Sequence, residues 1–328
     1  MNIKLNVFIK CVVMKILKFG GKSLETTEKT QKICKYIKKI YEKDKKIIIV
    51  VSAKGSTTDS LIELSQPFNA SKIAKRELDV LLSTGETISA SLLAMNLISL
   101  GIPAKSFQAW QVKINTMGDH QNSLITSIDK QSVEECLSKN VIAVITGFQG
   151  INKHSDITTL GRGGSDTTAA AIGASFQTNV ELYSDFNGVY SCDPRDIKTK
   201  KLKNVSLDEL DAISRNGSRV VCNRAVKIAK HHNISLIFKA SSTPKNKGTI
   251  ANNIEKNNVF ICTNQNLCKI TISLTQNNKL NFILKNVKLW LKNIELYNLE
   301  LNSHNISLLI NQSDKEEVLN LLKRNLRL

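Results

Sequence analysis

Two short runs constrain this chain more than anything else in it: KIIIVV at residues 46–51 and VIAVIT at residues 141–146. Neither alternates polar with apolar side chains. A strand with one face in water shows that alternation, whereas an unbroken aliphatic run belongs to a strand covered on both faces. Such strands sit in parallel sheets with a helix layer on each side. The intervening segments fit the same plan. Residues 15–19 (KILKF), 104–108, 180–184 and 235–238 read as further strands. Residues 24–41, 87–100, 131–139, 166–175 and 224–232 read as helices, the last closed by Asn233. Strands alternating with helices imply right-handed βαβ units, so the fold class is α/β, a mainly parallel sheet with helices on both faces.

The texture changes near residue 250. Gly248 is the last glycine, and the 80 residues after it read as strand (268–274), helix (about 280–291), strand (294–301), strand (306–310) and helix (315–325). The division falls in the polar stretch 243–258. A large α/β domain over 14–250 and a small α+β domain over 258–328 are expected. The first thirteen residues, MNIKLNVFIKCVV, make a poor signal peptide, because Lys10 interrupts the apolar run and no small-residue cleavage site follows. Residues 1–13 are read as a dispensable extension, with Met1 and Met14 both open as the start.

Charge comes next. Lys and Arg number 46 against 28 Asp and Glu, a formal net charge of +18. A basic surface attracts phosphates and other anions. The lysines are spread over the whole chain and no basic stripe carries interleaved aromatic rings, so no specific nucleic-acid face is expected. No apolar run approaches the length of a membrane span. Seven cysteines without a C-x-x-C pair argue against a zinc site or disulfide framework and suit a reducing cytosol, so a cytoplasmic location is expected.

Four segments could carry chemistry, and open α/β sheets place ligands at the carboxyl ends of their strands. Lys18-Phe19-Gly20-Gly21-Lys22-Ser23 ends like a P-loop, but that loop needs a glycine where Ile16 stands. What remains is either a tight solvated turn or a place where backbone N–H groups and Lys18 receive phosphate oxygens. In TLGRGGSDTT (159–168), three glycines let a backbone approach a ligand, Ser165 can cap the next helix with Asp166 in its first turn, and Arg162 offers a planar fork to a carboxylate or phosphate. YSDFNGVYSCDPR (183–195) is either an ordinary connection or a surface for a flat base and ribose. In LLSTGET (81–87), Glu86 reads as a helix-start residue, either solvated or, if buried in a cleft, a ligand for an ammonium group.

Taken together and in order, these segments resemble the aspartate kinases of the amino-acid kinase superfamily. KFGGKS is similar to K-F-G-G-[TS]-S, and VVSAKGSTTD (50–59) to V-V-S-A-M-G-x-T-T-D. LLSTGE resembles the family's GE segment. TTLGRGGSDTTA matches the family signature residue for residue, and YSDFNGVYSCDPR is close to Y-S-D-V-D-G-V-Y-T-A-D-P-R. The resemblance covers about residues 14–250. It implies a three-layer αβα fold, ATP with Mg2+ and L-aspartate as substrates, and 4-phospho-L-aspartate as product, the first step toward lysine, threonine, methionine and diaminopimelate. By the same resemblance Lys18 and Asp166 are catalytic, Lys18 stabilising the transferring phosphoryl group and Asp166 organising it. Thr58, Glu86, Arg162 and Ser165 would hold aspartate, with Glu86 on its ammonium and Arg162 on a carboxylate. Gly20, Gly21, Ser184, Asp185, Tyr190, Arg195 and Arg219 would bind nucleotide together with Lys18. Mg2+ would be held mainly through the phosphates, with no separate metal site.

Three departures stand out. Lys22 replaces a small hydroxyl residue, Arg219 replaces a lysine, and Ala109-Trp110-Gln111-Val112 replaces a smaller, glycine-containing segment. Aspartate kinases often carry two ACT units; the tail here provides roughly one, read as βαββα, with Gln276-Asn277-Asn278-Lys279 in place of the glycine-bearing effector loop. The tail is therefore expected to form a homodimer or higher homo-oligomer, with feedback by lysine or threonine weak or lost. The competing readings are a glutamate or acetylglutamate kinase-like enzyme, a non-catalytic amino-acid-sensing ACT protein, and a nucleic-acid binder suggested by charge alone.

Overall fold

The computed structural model describes residues 14–68, 75–215, 220–256, 258–264, 269–274, 277–294, 296–302 and 304–328. Residues 1–13 and Arg219 lie outside the described residues. The first part of the chain forms β1 (Lys15–Phe19), α1 (Thr27–Tyr41), β2 (Ile47–Val51), α2 (Thr57–Ser65), α3 (Lys75–Ser99), β3 (Ala104–Phe107), β4 (Ile114–Met117) and β5 (Leu124–Ile128). It continues through α4 (Gln131–Ser138), β6 (Ile142–Thr146), β7 (Gln149–Ile151), β8 (Ile157–Thr159), α5 (Gly164–Ser175) and β9 (Val180–Ser184). Then follow β10 (Asn204–Ser206), α6 (Leu207–Arg215), α7 (Asn223–His231), β11 (Leu236–Ala240) and β12 (Thr249–Asn252).

Eight strands form one sheet in the order β10-β12-β11-β9-β1-β2-β6-β3, parallel at every pairing except β11 with β12. Both aliphatic runs behave as their composition requires: β2 and β6 are buried at every position. Helices α1 and α3 cover one face through Leu17, Phe19, Ile37, Ile49 and Leu93. Helices α4 to α7 cover the other through Ile16, Val50, Leu137, Ile172, Leu210 and Val226. The chain winds from β1 outward to β2, β6 and β3, and later returns to the opposite side of β1 as β9 and β11. That reversal leaves a crevice outside the carboxyl end of β1, where ligands bind in folds of this kind.

A second sheet, β5-β4-β7-β8, was not legible as strands, since its members are three to five residues long. It delivers the chain to the turn at 160–163.

Two expectations are corrected. The helix read as 87–100 runs from Lys75 to Ser99, so Glu86 lies in its middle and is buried. Gly85 is accommodated because a Cβ there would stand 2.8 Å from the Ala53 methyl. Helix α3 is also long and apolar enough to cross a bilayer, but here Leu93 and Leu97 are core residues against the sheet. Helix α5 begins two residues early, at Gly164, with Gly163 as N-cap at φ 71°, so Ser165 lies inside the first turn and caps nothing.

The C-terminal part forms β13 (Phe260–Asn264), β14 (Lys269–Ser273), α8 (Asn277–Trp290), β15 (Leu296–Leu301), β16 (Asn305–Ile310) and α9 (Lys315–Leu326). Its sheet is antiparallel in the order β13-β14-β16-β15, packed on both helices through Ile272, Val287, Leu308 and Leu322. The described elements are ββαββα, one strand more than the sequence reading gave. This unit also reaches back into the larger one. Cys192 and Ile197 join its core, the Ile261 N–H donates to the Ser191 carbonyl at 2.8 Å, and Lys315 pairs with Asp196 at 2.8 Å.

Candidate active site

The two-residue period of β1 sends Leu17 and Phe19 toward α1 and α3, and Ile16 and Lys18 toward α5. Helix α5 can lie close to the sheet because its middle is alanine and glycine; a Cβ on Gly173 would stand 2.4 Å from Val180. That closeness brings Asp166, in the first turn of α5, to Lys18. Nζ and Oδ1 are 2.7 Å apart, and the side chains are 12% and 17% exposed. A pair this shielded keeps more of its Coulombic attraction than a surface pair.

Gly20 and Gly21 follow at once. The Gly20 N–H donates to the Tyr183 carbonyl of β9 at 3.1 Å, and the Gly55 N–H donates to the Gly21 carbonyl at 3.0 Å. The turn is thus clamped between the ends of β9 and β2. A Cβ on Gly21 would stand 2.4 Å from the Ala53 carbonyl oxygen, which is backbone and cannot swing away. Gly21→Ala is therefore expected to lower stability by roughly 1–3 kcal/mol through overpacking. Thermal unfolding checks this; an unchanged melting temperature would contradict the clamp.

Glu86 faces the same region from α3. Its Oε1 accepts the Ala53 N–H at 2.9 Å, while Oε2 is buried without a hydrogen-bond partner. Burial pushes the carboxyl up to about 7, against the opposing pull of the Ala53 N–H and the Lys18 charge. A buried carboxyl oxygen left unmatched is costly, and a donor supplied by a ligand or by water would offset that cost. Ser23 Oγ and Thr146 Oγ1 are likewise buried without partners among the described residues. They lie just past β1 and at the end of β6. The sequence assigns neither a role, although Ser23 closes the first glycine segment and Thr146 is the single hydroxyl closing the run VIAVIT.

The turn at 160–163 carries Arg162 between two glycines with positive φ, Gly161 at 73° and Gly163 at 71°. Arg162 is exposed, its carbonyl accepts the Cys222 thiol at 3.4 Å, and its guanidinium has no partner among the described residues. Ser165 is buried against Gly147, where an added Cβ would meet Ser165 Cβ at 2.7 Å. Thr58 is half-buried in the first turn of α2.

A buried network holds this turn, and the sequence reading missed it. Asp79 on α3 is fully buried and accepts the Thr159 N–H at 3.0 Å, the Thr159 hydroxyl at 2.6 Å and the Gln121 N–H at 3.1 Å; it also bonds His120 Nδ1 at 2.7 Å. Arg224 of α7 donates to the Leu160 carbonyl at 2.8 Å. The available signal was an aspartate two helical turns before Glu86 on an otherwise apolar face.

Of the segment 183–195, Ser184 and Asp185 stand exposed at the end of β9, beside the glycine turn. Lys22, one of the departures, pairs with Asp185 at 3.5 Å, an exposed contact of small energetic weight. Tyr190 donates to Asn187 Oδ1 at 2.6 Å. Arg195 is held by Asp193 at 2.5 Å, over the Phe186 ring. Trp110 is exposed, with its indole N–H donating to Gln108. The structure thus gathers Lys18, Gly20, Gly21, Glu86 and Asp166 around the end of β1, whereas Arg195 turns to its own neighbour. No trio of side chains suited to a metal ion occurs among the described residues.

A lysine–aspartate pair beside glycine turns, on the central strand of a helix-covered parallel sheet, is an arrangement suited to anions. The Amino acid kinase family model matches residues 14–240, and the chain belongs to that family. Within the family, its relatives include aspartokinases. The aspartokinase of Rickettsia bellii (strain RML369-C) is 40% identical over 82% of this chain and 68% of its own length. That of Geobacillus stearothermophilus is 40% identical over 72% of this chain and 58% of its own. The chain therefore spans about three fifths to two thirds of these relatives. Among solved structures, E. coli aspartokinase III in complex with aspartate and ADP shares the fold at a TM-score of 0.81 and 17% identity, covering 96% of this chain and all of that one. The aspartate kinase of Synechocystis gives a TM-score of 0.64 at 27% identity, covering 96% of this chain and 56% of that one.

Proposed function

We propose that this chain transfers the γ-phosphoryl group of MgATP to the side-chain carboxylate of L-aspartate, giving 4-phospho-L-aspartate and ADP. The observation that carries the reading is the meeting, at the end of β1, of the Lys18–Asp166 pair with the unpartnered Glu86 carboxylate oxygen. Both substrates are anions and repel each other. A cation fixed between them offsets that repulsion, and positioning supplies most of the remaining barrier reduction. An aspartate carboxylate oxygen attacks the γ-phosphorus in line, the bond to the bridging oxygen breaks, and its electron pair leaves on ADP. The attacking carboxylate is already ionised at neutral pH, so no general base is needed. Asp166 instead holds Lys18 in place.

Glu86 takes the substrate ammonium, Arg162 a carboxylate, and Thr58 and Ser165 add hydrogen bonds. Gly20 and Gly21 approach the phosphates with Lys18, while Ser184, Asp185, Tyr190, Arg195 and Arg219 hold the nucleoside end. The glycine cradle suits a phosphate group. A bound Mg2+ would be held mainly by oxygens of the nucleotide phosphates and would neutralise part of their charge. Residues 14–250 form the catalytic domain and 258–328 an ACT-like domain that joins copies of the chain in the cytoplasm. The reaction opens synthesis of lysine, threonine, methionine and diaminopimelate.

An ADP-release assay across aspartate, glutamate and acetylglutamate tests the reading: only aspartate turns over, and equal rates with glutamate would defeat it. Added lysine or threonine is expected to change the aspartate rate little. Strong inhibition by either would overturn that expectation.

A further inference from the structure

Between α1 and the loop joining β11 to β12 lies a cavity of about 430 Å³, lined by none of the residues assigned to the reaction. Lys32, Lys35 and Lys39 reach it from α1, and Lys245 from the loop. The spacing of three and four residues places the first three on one side of the helix, where like charges weaken the helix rather than support it. No carboxylate lines the cavity among the described residues. Among the described residues none of the four lysines is in an ion pair, whereas Lys29, one turn earlier, is bound to Glu25 at 2.7 Å. Glu28 lies one turn before Lys32 and feels its charge, but stands outside the cavity.

The rest of the wall is Tyr36, Ser242, Thr243, Pro244 and Asn246. Ser242 and Thr243 carry hydroxyls, and Tyr36 forms an aromatic side. Tyr36 is fixed beforehand: its hydroxyl donates to the Pro244 carbonyl at 3.2 Å and lies 3.1 Å from the Tyr183 hydroxyl. A wall ordered before binding spares the ligand that cost. Four lysines and two hydroxyls, with no acid in the described lining, favour an anion over a cation. From Lys32 to Lys39 the helix rises about 10 Å, more than one phosphate group can bridge.

We propose that this cavity is a second anion site, taking a small ligand that carries two or more linked phosphates. It stands apart from the proposed kinase reaction and does not depend on it. The shared chemistry is a polyphosphate chain, free or attached to a nucleoside.

Lysine acetylation footprinting of the full chain, read by mass spectrometry, tests this with inorganic tripolyphosphate in one arm and ADP in the other. Protection is expected at Lys32, Lys35, Lys39 and Lys245, with the exposed Lys139 and Lys153 unchanged. Protection in the first arm alone assigns an inorganic chain, and protection in both admits a nucleotide. In the variant K35Q/K39Q/K245Q, protection of Lys32 disappears and tripolyphosphate affinity falls by about tenfold or more, while aspartate-dependent turnover stays at the wild-type rate. Equal protection of all exposed lysines, protection by added nucleic acid alone, or no protection at the four overturns the proposal. So does unchanged affinity in the triple variant.

Discussion

Lys18→Ala is expected to lower aspartate-dependent ADP release by on the order of 10³-fold, with ATP still bound. Two losses combine. The ammonium proposed to face the transferring phosphoryl group disappears, and Asp166, 2.7 Å away in the native chain, is left as an uncompensated negative charge where the proposed reaction brings two anionic substrates. The second loss is separable. Asp166→Asn alone should cost less than Lys18→Ala, because the ammonium remains but is no longer held. The double variant should be no worse than Lys18→Ala, since the stranded carboxylate is gone; a cycle of the three variants measures that coupling. Lys18→Arg should not restore turnover, because a planar fork cannot replace a compact ammonium in a site shaped by Gly20, whose missing Cβ would lie 3.6 Å from Nζ. Turnover by Lys18→Ala above a tenth of wild type would place the phosphoryl-stabilising charge elsewhere. The expected loss also distinguishes an enzyme from a silent sensor, in which the same change would leave amino-acid binding intact and have no rate to reduce.

The parallel sheet was legible because its strands announce themselves: β2 and β6 carry no polar alternation, and only burial on both faces tolerates that. The glycine turns were legible for a related reason, since Gly21 and Gly163 stand where a side chain would strike backbone or a neighbour. The supports were not legible. Asp79 acts through residues 41 to 80 positions away, and nothing local in ELDVLL distinguishes a buried aspartate from a solvated one. The start of α3 was missed because Gly85 reads as a helix breaker, while its reason for being there lies across the chain at Ala53. The boundary near residue 250 marks a change in composition, yet residues 191–197 lend Cys192 and Ile197 to the C-terminal core. That contact joins the segment bearing Tyr190 and Arg195 to the small sheet, a relation between distant parts of the chain that no local pattern encodes.

Glu86→Gln should stabilise the chain at alkaline pH while removing its use of aspartate. In the free chain, burial raises the Glu86 carboxyl from 4.5 to about 7. The folded state therefore binds more protons than the unfolded state between those values, and stability falls as pH rises from the lower to the upper one. The shift corresponds to a penalty on the order of 3 kcal/mol, complete above about pH 7 and absent below the unfolded value. Glutamine keeps an oxygen for the Ala53 N–H and cannot ionise, so the penalty vanishes. Melting temperatures of variant and wild type should coincide near pH 4.5 and separate as pH rises, with the variant higher. Activity moves the other way. A substrate ammonium arriving at Oε2 needs a negative charge there, and removing one partner of a buried charge pair costs about 2–5 kcal/mol, so kcat/KM for aspartate should fall by about 10²-fold, mostly through KM. In the wild type, kcat/KM should rise with pH through about 7 as Glu86 ionises. A variant less stable at pH 8, or one with an unchanged KM, would show that the orphaned oxygen is structural; a gain in stability together with a loss of substrate would mean the native chain tolerates a buried carboxylate because its partner arrives with the substrate.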